Sequence, residues 1–225
     1  MTHLTFQVAD HGHLTLRIDH LIIAGWAGRD LDAVEHHIAE LEVLGVRRPT
    51  QTPCFYRVSA NRLNPAEYIQ VTGKCSSGET EFVLLPSDQG LLVGLGSDHT
   101  DRKVESYDIT VSKQMCDKPI GSQLWRYAQV KGHWDQLIMR TWRILGGQRE
   151  LYQQGPVASL LAPEQLLEKL NKQAQLPPNT ALFCGTQPVL GELGYGEAFE
   201  MELHDPVLNR SLQHRYGVVP LSVAE

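Results

Sequence analysis

The chain has 225 residues, 42% of them hydrophobic and 20% charged, and carries a net charge of −6. That length can bury a substantial core, and the composition is that of an ordinary globular protein rather than a disordered or fibrous one. Its 20 Lys and Arg are scattered without a basic run, which argues against nucleic acid as a partner.

The N-terminus, Met1-Thr2-His3-Leu4-Thr5-Phe6, lacks the basic and apolar regions of a signal peptide. Residues 4–8 and 13–18 then alternate apolar and polar across Asp10-His11-Gly12, which predicts a hairpin. Leu21 to Trp26 reads as a buried strand. From Asp30 to Leu44 a helix is expected, with Leu31, Val34, Ile38, Leu41 and Leu44 (or Val43) on one stripe and Gly45 closing it. A loop with Pro49 and Pro53 leads into mixed strand material through Val71. Two apolar runs, Phe82 to Leu85 and Leu91 to Leu95, flank the turn formers Pro86-Ser87-Asp88-Gln89-Gly90. A hairpin centred there pairs residues whose numbers sum to about 176, placing residue 97 opposite Glu79 with Asp98 beside it.

Thr100 to Met115 is expected to form a helix with Val104, Val111 and Met115 inward, and Trp134 to Leu145 a strand. Pro163 opens a second helix to Ala174, with Leu166, Leu167 and Leu170 on its apolar face. Strands follow at Thr180–Cys184, Ala198–Leu203 and Leu212–Val219. Many strands with a few isolated helices predict an α+β fold, read as one domain over 1–225. Nothing approaches 18 consecutive apolar residues, so no membrane span is expected. Cys54, Cys75, Cys116 and Cys184 are far apart without a C-x-x-C pair, which fits reduced thiols in a cytoplasmic protein.

The chemistry concentrates at the mouth of the hairpin. Strand residues i and i+2 point to one face, so Glu79 and Glu81 project together, and the hairpin brings Asp98 to them. Three carboxylates on one apolar-backed spot repel one another unless a cation joins them, which predicts a hard-metal site. All-oxygen ligation favours Mg²⁺, with Mn²⁺ or Ca²⁺ as alternatives, over the softer zinc. Asp101 is a near neighbour that could replace Asp98 as third ligand. His37 and Glu40 stand at i and i+3 of the first helix, so Glu40 can orient the imidazole. The plainer alternative for that pair is a solvated helix face. Arg102 and Lys113 are the nearby cations suited to a substrate carboxylate.

Several segments in order resemble the fumarylacetoacetate hydrolase superfamily. Pro53-Cys54-Phe55-Tyr56-Arg57 and Ser77-Gly78-Glu79-Thr80-Glu81-Phe82 resemble an early strand and the E-x-E motif. Gly94-Leu95-Gly96-Ser97-Asp98-His99-Thr100-Asp101-Arg102 resembles the segment that carries the third acid. Gln153-Gln154-Gly155, Leu161-Ala162-Pro163-Glu164-Gln165-Leu166, Cys184-Gly185-Thr186-Gln187-Pro188 and Gly196-Glu197-Ala198-Phe199-Glu200-Met201-Glu202-Leu203 resemble later motifs. The stretch Ser112-Lys113-Gln114-Met115-Cys116 is most similar to the DUF2848 branch.

The resemblance implies a strand-rich mixed β-roll with a few flanking helices, usually a homodimer. Residues 1–52 would supply N-terminal strands and a lid-like helix, and residues 53–225 the catalytic core. It further implies a divalent-metal-dependent hydrolase that cleaves a C–C bond in a 1,3-dicarbonyl or acylpyruvate-like acid through a metal-stabilised enolate. His37 with Glu40 would activate water, Glu79, Glu81 and Asp98 would hold the metal, and Arg102, Lys113, Gly185 and Thr186 would bind the oxo-carboxylic acid. An oxo-acid decarboxylase or tautomerase on the same site, and a noncatalytic small-molecule-binding homologue, are the alternatives.

Overall fold

The computed structural model describes residues 1–43, 48–172 and 174–224, with the side chains of His37, Glu40 and Leu41 outside what is described. At its centre stands the hairpin Thr80–Ser87 and Gly90–Ser97. It lies within an eight-stranded sheet ordered Gly12–Ile18, Thr2–Val8, Gln123–Arg126, Gly90–Ser97, Thr80–Ser87, Thr180–Thr186, His20–Gly25 and Cys54–Val58. The sheet is mixed, because Thr2–Val8 runs parallel to Gln123–Arg126 and Thr180–Thr186 parallel to His20–Gly25. The N-terminal strands are therefore integral to the sheet that carries the acids. A five-stranded sheet, Gln148–Pro156, Ile138–Leu145, Ala198–Asp205, Arg210–Leu221 and Tyr68–Thr72, packs across one face. The expected strand-rich α+β architecture holds, with the larger sheet curled on itself.

The uninterrupted run Phe82-Val83-Leu84-Leu85 follows from burial on both faces. Phe82, Leu84, Val93 and Leu95 join Met139, Phe199, Met201 and Leu203 between the two sheets. Val83, Leu85 and Leu92 face the other way and meet Leu4, Phe6, Leu124 and Phe183 inside the curl. Each such side chain contributes roughly 1.5–3 kcal/mol of burial. On the inner face of the second hairpin strand, Gly94 and Gly96 stand between Leu92 and Asp98. A Cβ on Gly96 would lie 2.6 Å from Phe183 Cε1, and one on Gly94 2.7 Å from Leu124 Cδ2. These two positions are small because large neighbours lie across them.

The hairpin register differs by one from the expected value. Ser87 pairs with Gly90 and Thr80 with Ser97, so the turn is Asp88-Gln89 alone and Pro86 lies within the strand. Gly90, at φ +97°, absorbs the return of the chain, and the Ser87 hydroxyl donates to the Gly90 carbonyl at 2.8 Å. This register sets Asp98, rather than residue 97, opposite Glu79.

Four other expectations are corrected in detail. Thr100 to Met115 is not one helix: Thr100–Asp101 is a short strand, followed by helices Arg102–Glu105 and Ile109–Met115. Asp101 and Asp108 each cap a new start, accepting the N–H groups of Val104 and Val111 at 2.9 Å. Ser112 and Lys113 face inward while Val111 and Met115 are exposed, because that face meets charged groups rather than apolar core. Trp134 precedes the strand Ile138–Leu145, in a turn that seats its ring edge-on against Phe82 at 5.0 Å. The helix from Pro163 ends at Leu170, where Asn171 leaves the helical conformation. In the first helix, Leu31–Val43, Ile38 is buried but Leu31 is exposed, while Leu44 and Gly45 lie outside the described residues.

Gly96→Ala is expected to destabilise the protein by about 1–3 kcal/mol through overpacking, because a ring on one side and the Pro119 carbonyl at 3.0 Å on the other leave little room. Urea unfolding followed by tryptophan fluorescence measures the shift, and an unchanged midpoint would contradict this account of the inner face.

Candidate metal centre

Glu79 lies between the short strand Ser76–Ser77 and Thr80–Ser87, and Asp98 directly follows Gly90–Ser97. Their backbones are joined by the Asp98 N–H, which donates to the Glu79 carbonyl at 2.9 Å. Glu81, paired with Gly96, projects on the same face. Glu79, Glu81 and Asp98 each offer an oxygen, all within 4.8 Å of one another. Glu81 and Asp98 are buried at the end of the apolar inner face, while Glu79 stays 18% exposed. Asp101 does not join them, because its carboxylate caps the helix Arg102–Glu105.

Each acid has a different environment. Asp98 pairs with Lys113 and, at 3.1 Å, with Lys118, whose ammonium also donates to the His99 carbonyl. Burial alone would raise the Asp98 pKa, but the two ammonium groups outweigh it and hold the carboxyl below its ordinary range. Burial likewise opposes the charge on Lys113, yet Asp98, Glu79 and Glu105 keep its pKa above the ordinary lysine value. For Lys118 burial prevails and lowers the pKa. Glu79 pairs with Arg102 at 2.9 Å, and the same guanidinium reaches Glu105 at 2.8 Å and the Ser77 hydroxyl at 2.7 Å.

Among the described residues, Glu81 has no cation of its own. Its Oε2 accepts the Gly185 N–H at 2.7 Å. Burial and the charges of Asp98 and Glu79 push its carboxyl well above the usual range, against the pull of Lys113 and Gly185. Gly185 adopts φ +96°, and a Cβ there would come within 3.0 Å of the Ala27 Cβ, so only glycine presents its N–H this way.

Of the remaining sequence-predicted residues, Thr186 donates its hydroxyl to the Thr80 carbonyl at 2.8 Å and accepts from Gln153 at 2.9 Å. Both donors expected to meet a substrate carboxylate are thus bonded to the E-x-E segment itself. The His37–Glu40 pair lies outside the described side chains. His99 turns away from the acids: its nitrogens lie 3.0 Å from the Tyr216 hydroxyl and 2.9 Å from the Ser76 hydroxyl. Burial, with Lys118 and Arg102 nearby, keeps it well below its usual pKa and hence neutral. Sequence reasoning missed Lys118. Its one signal is a lysine in the alternation Cys116, Lys118, Ile120, where all three side chains are buried.

The donor set fits a hard divalent ion. Oxygens bound at 2.0–2.6 Å around one centre can lie no more than ~5 Å apart, and the three carboxylates meet that limit. Glu81, buried and without an ion pair among the described residues, is the acid beside which a further positive charge fits.

Asp98→Asn is expected to cost about 3–5 kcal/mol, because Lys113 and Lys118 would stay buried without their counter-charge. Asp101→Ala should cost about 1 kcal/mol as a lost helix cap. Thermal unfolding of both variants checks the contrast; equal small losses would remove Asp98 from the centre of this charge arrangement.

Comparisons with known proteins found solved structures of similar fold. Among solved structures, 2-keto-3-deoxy-D-arabinonate dehydratase complexed with magnesium and 2,5-dioxopentanoate aligns with 95% of this chain and 78% of its own, at 14% identity and a TM-score of 0.66. The protein Cg1458 aligns over 93% and 80%, at 13% identity and a TM-score of 0.64. The 4-oxalocrotonate decarboxylase from Pseudomonas putida G7, complexed with magnesium and adipate, aligns over 90% and 78%, at 11% identity and a TM-score of 0.58. At such identities the likeness is one of fold alone. A search of curated proteins found no significant sequence match. Residues 24–216 match a family model described as "protein of unknown function (DUF2848)". A match over that span, with this fold beneath it, makes the chain a member of the DUF2848 family.

Proposed function

We propose that this chain is a divalent-metal-dependent enzyme acting on a small 2-oxo or 1,3-dicarbonyl carboxylic acid, with Glu79, Glu81 and Asp98 as metal ligands. The observation that carries this reading is the convergence of three carboxylate oxygens within 4.8 Å at the buried end of an apolar hairpin. The dehydratase and decarboxylase of similar fold, both seen with magnesium, support Mg²⁺ as the ion, with Mn²⁺ its closest substitute. When bound, such an ion acts as a Lewis acid towards the substrate's oxo group. Lys113 and Arg102 hold the substrate carboxylate: Lys113 as a point charge, Arg102 through its field, since its N–H groups already engage Glu79, Glu105 and Ser77. Gly185 and Thr186 set the position of the E-x-E segment through their bonds to Glu81 and Thr80.

The reaction we assign is hydrolytic C–C cleavage, with His37 taking a proton from water and Glu40 orienting the ring. A second reading, decarboxylation or tautomerisation, is favoured by a specific observation. Lys113 and Lys118 both bring N–H protons to the acid cluster, whereas both nitrogens of His99 are engaged elsewhere. These reactions need proton delivery but no attacking water. The superfamily resemblance also supports a homodimer.

A metal-supplemented screen of acylpyruvates, oxaloacetate and related oxo acids tests the reading. Activity should require Mg²⁺ or Mn²⁺, vanish with EDTA, and fall roughly 10³-fold or more in Glu81→Gln, the equivalent of losing several kcal/mol of Lewis-acid stabilisation. Turnover that survives either treatment would refute the ligand assignment. His37→Ala separates the two reactions, because hydrolysis should collapse and decarboxylation persist. Light scattering should give about twice the 25.2 kDa chain mass.

A further inference from the structure

The five-stranded sheet contributes no carboxylate to the cluster, yet it sends a strip of buried polar groups against the back of the E-x-E segment. The Glu79 N–H donates to the Ser97 hydroxyl at 3.1 Å, and that hydroxyl lies 2.8 Å from the Tyr216 hydroxyl. The same phenol meets His99 Nδ1 at 3.0 Å, and His99 Nε2 meets the Ser76 hydroxyl at 2.9 Å. One hydroxyl from Arg210–Leu221 therefore ties together the chain before Glu79 and the residues on both sides of Asp98. A Cβ on Gly78 would lie only 2.3 Å from that hydroxyl, so the backbone rests directly against it.

A second contact grips the residue between the two glutamates. The Gln153 side-chain carbonyl, from Gln148–Pro156, accepts the Thr80 N–H at 3.2 Å and the Thr141 hydroxyl at 2.8 Å. Its amide donates to the Thr186 hydroxyl at 2.9 Å and to the Gln187 carbonyl. Tyr216 is fully buried and Gln153 2% exposed. Apolar side chains would hold two sheets together without the desolvation that these groups incur. A buried, satisfied polar network instead selects one geometry. The hydrogen bonds here end on the backbone of Glu79 and Thr80, where small rotations would move the carboxylates. A hard ion with short, directional oxygen bonds needs those carboxylates fixed.

We infer that Tyr216 and Gln153 are positioning residues for the metal centre, holding the Gly78–Glu81 backbone so that Glu79, Glu81 and Asp98 converge. This inference rests on the metal-ligand reading proposed above. Calorimetric titration of Mn²⁺ into the full-length wild-type protein, Tyr216→Phe, Glu81→Gln and Leu203→Ala tests it. Leu203 is buried in the same sheet but bonds to nothing at the site, so Leu203→Ala should lower the melting temperature and leave Mn²⁺ affinity unchanged. Tyr216→Phe should weaken Mn²⁺ binding 10–100-fold, the usual effect of losing an outer support. If Tyr216→Phe does not fold, Ser97→Ala carries the same expectation, since it removes the hydroxyl to which Glu79 is bonded. Wild-type affinity in the hydroxyl-deleted variant beside a non-binding Glu81→Gln overturns the positioning role alone. So does equal weakening in Leu203→Ala. A wild-type protein that takes up no Mn²⁺, or a Glu81→Gln that binds as tightly as wild type, overturns the metal centre itself and this inference with it.

Discussion

Two carboxylates, Glu81 and Asp98, are buried side by side at the end of an apolar hairpin, and much of the surrounding structure answers that constraint. Charges in such a place are tolerated only when opposite charge or oriented donors meet them. Asp98 is met by two lysines that come from separate elements, the helix Ile109–Met115 and the short strand Lys118–Pro119. Glu79, nearer the surface, is met by Arg102. Glu81 is met by a backbone N–H that only a glycine at φ +96° presents in that position. Among the described residues Glu81 alone of the three acids has no ion-pair partner, and a divalent cation fits beside it.

The same demand explains local features that packing alone would not. The helix Ile109–Met115 turns Ser112 and Lys113 inward and leaves Val111 and Met115 exposed, reversing the usual order, because the ammonium is needed at Asp98. Gly94 and Gly96 let Leu124 and Phe183 pack close beneath the acids, which keeps the floor of the site apolar. The larger sheet supplies the carboxylates, and the smaller supplies the hydrogen bonds behind them. The two layers form one support even though all three acids lie in or directly beside strands of the first.

Local pattern made much of this legible. The alternation around Asp10-His11-Gly12, the helix that carries Ile38 and the run Phe82 to Leu85 each appear as expected, because residue periodicity directly reflects which faces meet water. The one-residue slip at Asp88-Gln89 arose because turn length depends on backbone dihedrals that several turn formers in a row do not distinguish. The single long helix expected over Thr100 to Met115 gives way to a short strand and two helices because Asp101 and Asp108 each cap a new start, and its inward face departs from the apolar spacing because Lys113 turns to Asp98. Lys118 could not be read as a site residue, since its partners are Asp98 and a carbonyl and its buried setting is created by strands distant in sequence.

The sequence by itself determined that Glu79 and Glu81 share a face, that the chain returns near them with Asp98, and that the fold is strand-rich. These follow from a period of two and a reversing turn, which are local properties of a strand. Only the tertiary structure placed Asp98 rather than Asp101 beside Glu79 and Glu81, because the Asp101 carboxylate is spent on a helix cap. It alone revealed that Lys118, Tyr216 and Gln153 meet the acid segment, since burial and hydrogen bonding between residues far apart in the chain arise when sheets pack and leave no periodic trace.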